Sequence, residues 1–198
     1  MSSTAGAPAA SRSFQAQDLA YVAVFAALIA ALSLVPPIPV GSFGVPITLQ
    51  TLAISLTALI LGPWLGGAAV LLYLLVGTAG LPVFAGGKAG MSVWFGPTAG
   101  YLLSFLVNVV VVGLISRTYL RKGLVKLTWL WMLLTLLVCR LLVIYPLGTA
   151  GIARAAEKPF TAVAAVDLAY WPGDLLKSIV AVLVAVAVFK AFPRLLRR

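Results

Sequence analysis

Residues 47–76 read ITLQTLAISLTALILGPWLGGAAVLLYLLV, thirty positions without one charged side chain. About 20 such residues suffice to cross the hydrocarbon core of a bilayer as a helix. A single helix of this length would reach about 45 Å at 1.5 Å per residue, well beyond a core of about 30 Å. Gly62-Pro63 falls near its middle, and Gly66-Gly67 follows. Proline has no N–H to donate and its ring crowds the preceding turn, so a helix ends or bends there. The stretch therefore predicts two helices, 47–61 and from Pro63 to about 76. Both are short for a full span, which calls for tilt or a locally thinned bilayer.

The rest of the chain has the same character. Of 198 residues, 63% are hydrophobic and 9% charged, and the mean hydropathy is +1.13. A soluble domain carries about 25% charged residues, so this chain could not cover a water-facing surface. An all-α integral membrane protein with a single domain follows. Histidine is absent and Cys139 is the lone cysteine. Haem ligation by histidine, cysteine-rich zinc sites, Ser-His-Asp triads and an internal disulfide are thereby excluded. The four acids, Asp18, Glu157, Asp167 and Asp174, leave little material for acid–base catalysis. No enzyme, metal or cofactor is expected.

Working outward from 47–76, residues 1–17 are small and polar and are expected to be a disordered cytoplasmic N-terminus. A helix at 19–35 precedes the Pro/Gly loop 36–46; lacking a small-residue cleavage site, it reads as a retained span rather than a signal peptide. On the other side, the glycine-rich stretch 77–98 is too polar to span and too apolar for a free linker. Structured loops of this length are usually functional. Further helices are predicted at 99–116, 127–147 and 174–192, with a second long connection, 148–173, holding a short helix around 153–165. The result is a six-helix domain over 18–193 and a basic tail, 194–198. Nine basic residues (Arg12, Arg117, Arg121, Lys122, Lys126, Lys190, Arg194, Arg197 and Arg198) fall on one side of such a six-span chain. Three (Lys88, Arg154 and Lys158) fall on the other. The excess marks the cytoplasmic side, placing both termini there in a multi-pass protein of the cytoplasmic membrane. It also explains the +10 net charge without nucleic acid. The long, glycine-rich loops then face outward.

Charges at membrane depth are expensive, about 2.5–3.5 kcal/mol each on insertion scales, so each is a functional candidate. Asp174 and Lys177 stand three apart in WPGDLLK, on one helix face, where they either flank a ligand or form a capped, self-neutralising pair. Arg140 either pairs with Asp167 or Asp174, binds a ligand carboxylate, or snorkels to the interface. In the 77–98 loop, Gly86, Gly87 and Lys88 allow close backbone approach and add a cation. Trp94 and Tyr101 offer flat contact area with polar tips, or else form an interfacial aromatic belt. The loop is no nucleotide-binding P-loop: Pro82 stands where its first glycine belongs, and Ala89 replaces the serine or threonine. Thr48 and Gln50 are neutral hydrogen-bonders that orient a ligand or join helices. Small residues at spacing four, Ala23, Ala27 and Ala31 with Ala26 and Ala30 beside them, suit a close helix contact, within the chain or with a membrane partner.

Together, VPITLQTLA (45–53), LGPWLGG (61–67), YLLVGTAGLPVFAGGKAG (73–90), GPTAGYLLSF (96–105) and PGDLLK (172–177) closely resemble the BioY family. Its members are the biotin-specific S components of energy-coupling factor (ECF) transporters. The resemblance spans residues 19–192 and implies six transmembrane helices with a biotin pocket near the outer face, closed by the first and third loops. It implies a small-residue face of helix 1 docked on a transmembrane T component, with two ABC-type ATPases as motor; a homo-oligomer is a further option. Asp174 and Lys177 would be the polar ligands of biotin, followed by Gln50, Trp94 and Tyr101. A competing reading is a stand-alone proton- or ion-coupled vitamin transporter with Asp174 as the cycling carboxylate, but the chain shows no inverted repeat to support it.

Overall fold

The computed structural model describes residues 15–39 and 43–197. Residues 1–14 and Arg198, the bulk of the expected disordered N-terminus and the end of the basic tail, lie outside the described residues. Seven α-helices follow in order: α1 (Ala16–Leu34), α2 (Gln50–Thr78), α3 (Ala99–Leu120), α4 (Thr128–Cys139), α5 (Tyr145–Ala156), α6 (Phe160–Asp167) and α7 (Trp171–Ala191). Five stretches are long and apolar enough to cross a membrane: Ala16–Leu34, Gln50–Thr78, Ala99–Leu120, Thr128–Ala156 and Phe160–Ala191. The first helix begins two residues before Asp18, because the Gln15 N–H donates to the Asp18 carboxylate at 3.1 Å and closes its first turn.

The decisive stretch folds back on itself. Gly62 sits at φ 74°, ψ −166° inside α2, a conformation reserved for glycine. Gln50 and Tyr73 meet across this break, Nε2 to OH 2.6 Å. On a straight helix they would be about 34 Å apart. The two halves, 50–61 and 63–78, therefore form an antiparallel helical hairpin. A Cβ on Gly113 of α3 would collide with the backbone of Gly62 and Pro63, so α3 crosses the hairpin at its tip. This crossing also explains why α3 runs one turn past its predicted end at 116. Arg117 lies buried against Gly62 and donates to the Leu195 carbonyl at 3.2 Å, instead of opening a solvated basic turn.

The predicted helix at 127–147 is part of a longer rod. Between α4 and α5, residues Arg140–Ile144 form a π-turn. Its cause is Pro146, which has no N–H for the Leu142 carbonyl, so the ladder widens by one residue. The rod ends at Glu157, in the left-handed conformation at φ 52°, two residues before Pro159. A short helix across 153–165 is thus corrected: α5 stops at 156 and α6 starts at 160, because a residue preceding proline is disfavoured in a helix. α7 starts at Trp171 rather than 174, since Pro172 is well suited to a first turn.

α2 packs on both α1 and α3, and α7 packs on α2 and α4. Ile29, Ile54, Leu59, Tyr73, Val109 and Phe189 are fully buried between them. A smaller cluster of Val45, Ile152, Val163 and Tyr170 lies under the first loop. Leucines such as Leu71, Leu103, Leu142 and Leu183 face outward, as a lipid solvent requires. The first loop closes by an antiparallel bridge between Ile38 and Ile47, and the third by a bridge between Phe84 and Lys88.

Candidate functional site

The start of α7, the π-turn, the end of α6 and both bridged loops converge at one end of the bundle. They bring together four ionisable side chains, Arg140, Asp167, Asp174 and Lys177, from three separate segments. Arg140 Nη2 donates to Asp167 Oδ2 at 2.9 Å, and its Nε lies 2.7 Å from Asp174 Oδ2. Lys177 Nζ lies 2.6 Å from Asp174 Oδ1, to which Thr51 also donates at 3.0 Å. The ammonium further donates to the Thr48 carbonyl at 3.0 Å, and Tyr101 OH donates to Asp167 Oδ1. Two cations and two carboxylates sum to zero, which is how four ionised groups are tolerated where desolvation alone would be prohibitive. The two readings of Arg140 as a partner of Asp167 or of Asp174 both hold at once. Its guanidinium also lies over the Trp171 ring, 5.9 Å from the centroid. The Nε approach is close in distance without the alignment of a hydrogen bond, and Nη1 has no hydrogen-bond partner among the described residues although Arg140 is buried.

A cavity opens directly on this cluster. About 610 Å³ of space lies within it and in its open mouth. Arg140, Asp174, Lys177, Thr48, Gln50, Thr51, Lys88 and Tyr101 form its polar wall. Phe84, Val93, Leu102 and Phe105, with Val45 and Ile47 of the first loop, form its apolar wall. Gly86, Gly87 and Trp94 stand off the wall. Gly86 and Gly87 take φ near +70° and turn the loop so that Phe84 and Lys88 flank the cavity. Trp94 donates from Nε1 to Thr78 Oγ1 at 2.8 Å, and its carbonyl accepts from Arg154. It anchors the loop to the end of α2, and its neighbour Val93 faces the cavity instead.

A second buried network joins the cavity to α1. Tyr73 OH accepts from Gln50 Nε2, lies 3.1 Å from Ser33 Oγ, and reaches the Val83 carbonyl at 3.3 Å. Ser33 spends its own proton on the Ile29 carbonyl at 2.7 Å. One hydroxyl thus ties α1, both halves of α2 and the third loop together. Phe84 packs edge-on against the Tyr73 ring and directly over Gly77, which leaves no room there for a Cβ. On α1 the alanines divide: Ala23, Ala27 and Ala31 form an exposed ridge, Ala30 is half-buried, and Ala26 is buried in the core. Ala26 therefore makes an intramolecular contact rather than a partner surface.

Tyr73 and Tyr170 were not singled out by sequence reasoning. Tyr170 donates to the Val45 carbonyl at 2.6 Å and pins the first loop over the cavity. Their types carry no signal in an apolar run; only the fold-back of α2 and the 3₁₀ turn before α7 bring them to the site.

The BioY family model matches residues 6–194. The chain is 36% identical over 182 residues to a biotin transporter BioY of Rhizobium etli, covering 90% of this chain and 96% of that one. It is 38% identical over 178 residues to a biotin transporter BioY of Rhodobacter capsulatus, covering 85% and 91% respectively. Its fold matches the crystal structure of the S-component for biotin from an ECF-type ABC transporter with a TM-score of 0.81 and 27% identity, over 88% of this chain and 91% of the other.

Proposed function

The chain belongs to the BioY family, and from that premise we infer that it binds biotin and serves biotin uptake across the cytoplasmic membrane as the substrate-specific subunit of an ECF-type transporter. One observation carries the residue-level reading: Arg140 Nη1, buried and without a hydrogen-bond partner among the described residues, belongs to a side chain on the wall of a cavity that is apolar on its other side. Biotin presents two ureido N–H donors, a ureido carbonyl, a thioether ring and a carboxylate. Either polar end brings an acceptor for Nη1, and the ring system suits Phe84, Val93, Leu102 and Phe105. Asp174 supplies acceptor oxygens and Lys177 a donor. In the ligand-free arrangement these two satisfy each other, so a ligand exchanges into existing bonds without stranding a buried charge. Lys88, Thr48, Gln50 and Tyr101 complete the polar wall.

Six spans with both termini in the cytoplasm fit this role. Each half of the α2 hairpin counts as one crossing, and the basic residues then gather on one face. The ridge of Ala23, Ala27 and Ala31 offers a flat, exposed small-residue strip on α1, suited to close approach by a helix of a T component energised by two ATPases.

Calorimetric titration of the purified full chain with biotin, dethiobiotin, riboflavin and thiamine tests the reading. Saturable binding of biotin, weaker binding of dethiobiotin and none of the other two is the expected order. Absence of biotin binding, or equal affinity for all four, overturns it.

A further inference from the structure

At the end of the bundle remote from the cavity, a second concavity lies between the start of α4 and the end of α7. It holds about 540 Å³, mouth included, and its wall includes Lys126, Lys190, Thr128, Trp129, Leu124 and Val186. Lys190 is sixteen residues beyond Asp174 on α7, hence about 24 Å along the helix axis, so this space is separate from the ligand site. Two features set it apart. Two ammonium groups from different elements share one concavity, and neither has a carboxylate partner among the described residues. The other side of the wall is apolar, and its rim continues into the exposed side chains of Val125, Leu127, Trp129 and Phe192.

Two like charges on one cavity repel, and an anion between them removes the repulsion and gains two attractions. The position is the end of the membrane-facing helices, where a half-exposed tryptophan favours the headgroup level. The first turn of α4 adds a favourable field for an anion. The apolar rim asks for a ligand that carries hydrocarbon as well as charge. A free phosphate has none, whereas a phospholipid has both. From the rim, the outward faces of α4 (Trp131, Leu134, Val138) and of α7 (Leu176, Val180, Leu183), on helices that pack together, provide a bed for acyl chains.

We propose that the concavity between Lys126 and Lys190 binds the phosphate headgroup of an anionic phospholipid. Basic groups close to an anionic lipid surface contribute about 1 kcal/mol each, or about a fivefold change in affinity per lysine. The site rests on the chain's placement in a membrane and not on the identity of its transported ligand.

The test uses the full-length chain in phosphatidylcholine nanodiscs with and without phosphatidylglycerol, reading bound lipid by native mass spectrometry and the melting midpoint by tryptophan fluorescence. The wild-type chain is expected to retain phosphatidylglycerol in preference to phosphatidylcholine and to melt higher when it is present. The double variant Lys126→Gln/Lys190→Gln is expected to lose that preference by about 25-fold. Lys126→Arg/Lys190→Arg, which keeps both charges, restores it, and Lys122→Gln, in the same connection between α3 and α4 but off the wall, leaves it unchanged. Retention of the preference in the double glutamine variant overturns the proposal. An equal loss in Lys122→Gln also overturns it, assigning the effect to a diffuse basic surface. Equal protection by inorganic phosphate reassigns the cavity to a free anion. Biotin titration of the same preparations reports whether the remote site is intact, so failure here is distinguishable from failure of the transport reading.

Discussion

Arg140 and Asp174 stand 2.7 Å apart, Nε to Oδ2, and the same guanidinium holds Asp167 through Nη2 at 2.9 Å. One arginine thus bridges two buried carboxylates from different helices, and Lys177 supplies the second cation. Removing it leaves Asp167 without a cation among the described residues and leaves Asp174 to Lys177 alone. Breaking a buried pair from one side costs about 3–5 kcal/mol, so Arg140→Ala should lower the melting temperature in detergent sharply. Arg140→Ala/Asp167→Asn, which removes one stranded charge as well, should recover part of the loss. A double variant no more stable than Arg140→Ala alone would show that Asp167 does not depend on the arginine.

Lys177 and Asp174 offer a different test, because both line the cavity. Lys177→Gln keeps a donor and most of the stem but removes the charge, leaving Asp174 to Arg140 and Thr51. The chain should still fold, and biotin affinity should fall by roughly 10- to 100-fold, the scale of one charge-assisted hydrogen bond at about 1.5–3 kcal/mol. Isothermal titration reads this directly. An unchanged dissociation constant would place Lys177 outside the ligand's contacts.

How much of this could be read from the sequence differs from residue to residue. The membrane class, the break at Gly62-Pro63 and the candidates Asp174, Lys177 and Arg140 are legible because each is a local departure from an apolar background. A charge or a proline among leucines needs no tertiary knowledge to be noticed. The pairing of Arg140 with Asp167 and Asp174 together is not local, since it depends on a π-turn over Arg140–Ile144 that Pro146, just beyond it, forces. Nor is the role of Trp94, whose ring could face the cavity or the end of α2 until the turn at Gly86 and Gly87 fixes the loop's direction. Tyr73 is the clearest loss. Its partner Gln50 is 23 residues away, and only the hairpin, not the count of residues, brings them together.

Tyr73→Phe keeps the ring that packs on Phe84 and deletes the hydroxyl shared by Gln50, Ser33 and Val83. Leaving a buried donor without its acceptor costs about 1–3 kcal/mol. Since Gln50 is also a cavity residue, the variant should lose both thermal stability and biotin affinity, the latter by about tenfold. Ser33→Ala, which touches the same hydroxyl but not the cavity, should lower stability with little change in affinity. Identical binding losses in the two variants would remove Gln50 from the explanation.

The hairpin tip predicts a contrast between two glycines. A Cβ at Gly113 meets the backbone of Gly62 and Pro63, which cannot move aside without opening α2. A Cβ at Gly67 meets only the Val110 side chain, at an ordinary 3.4 Å. Gly113→Ala should therefore express poorly or melt well below the wild type, while Gly67→Ala should be neutral or slightly stabilising, because alanine is the better helix former by about 1 kcal/mol. Equal melting temperatures would show that α3 does not rest on the hairpin tip.

The division of the α1 alanines separates a partner surface from internal packing. Ala27 is exposed on the outward ridge, and Ala26 is buried one position away. Overpacking a buried site forces neighbours off their rotamers and costs about 1–3 kcal/mol, occasionally more. Ala26→Trp should therefore reduce stability and biotin binding together. Ala27→Trp adds a large ring on the lipid-facing side and should leave biotin affinity in detergent unchanged. If the ridge is where a T component docks, the same ring should abolish co-purification with the T component and ATPases and, with it, ATP-dependent uptake in reconstituted vesicles. Retained assembly with Ala27→Trp would move the partner surface off this ridge, and loss of biotin binding would show that Ala27 is needed within the chain itself.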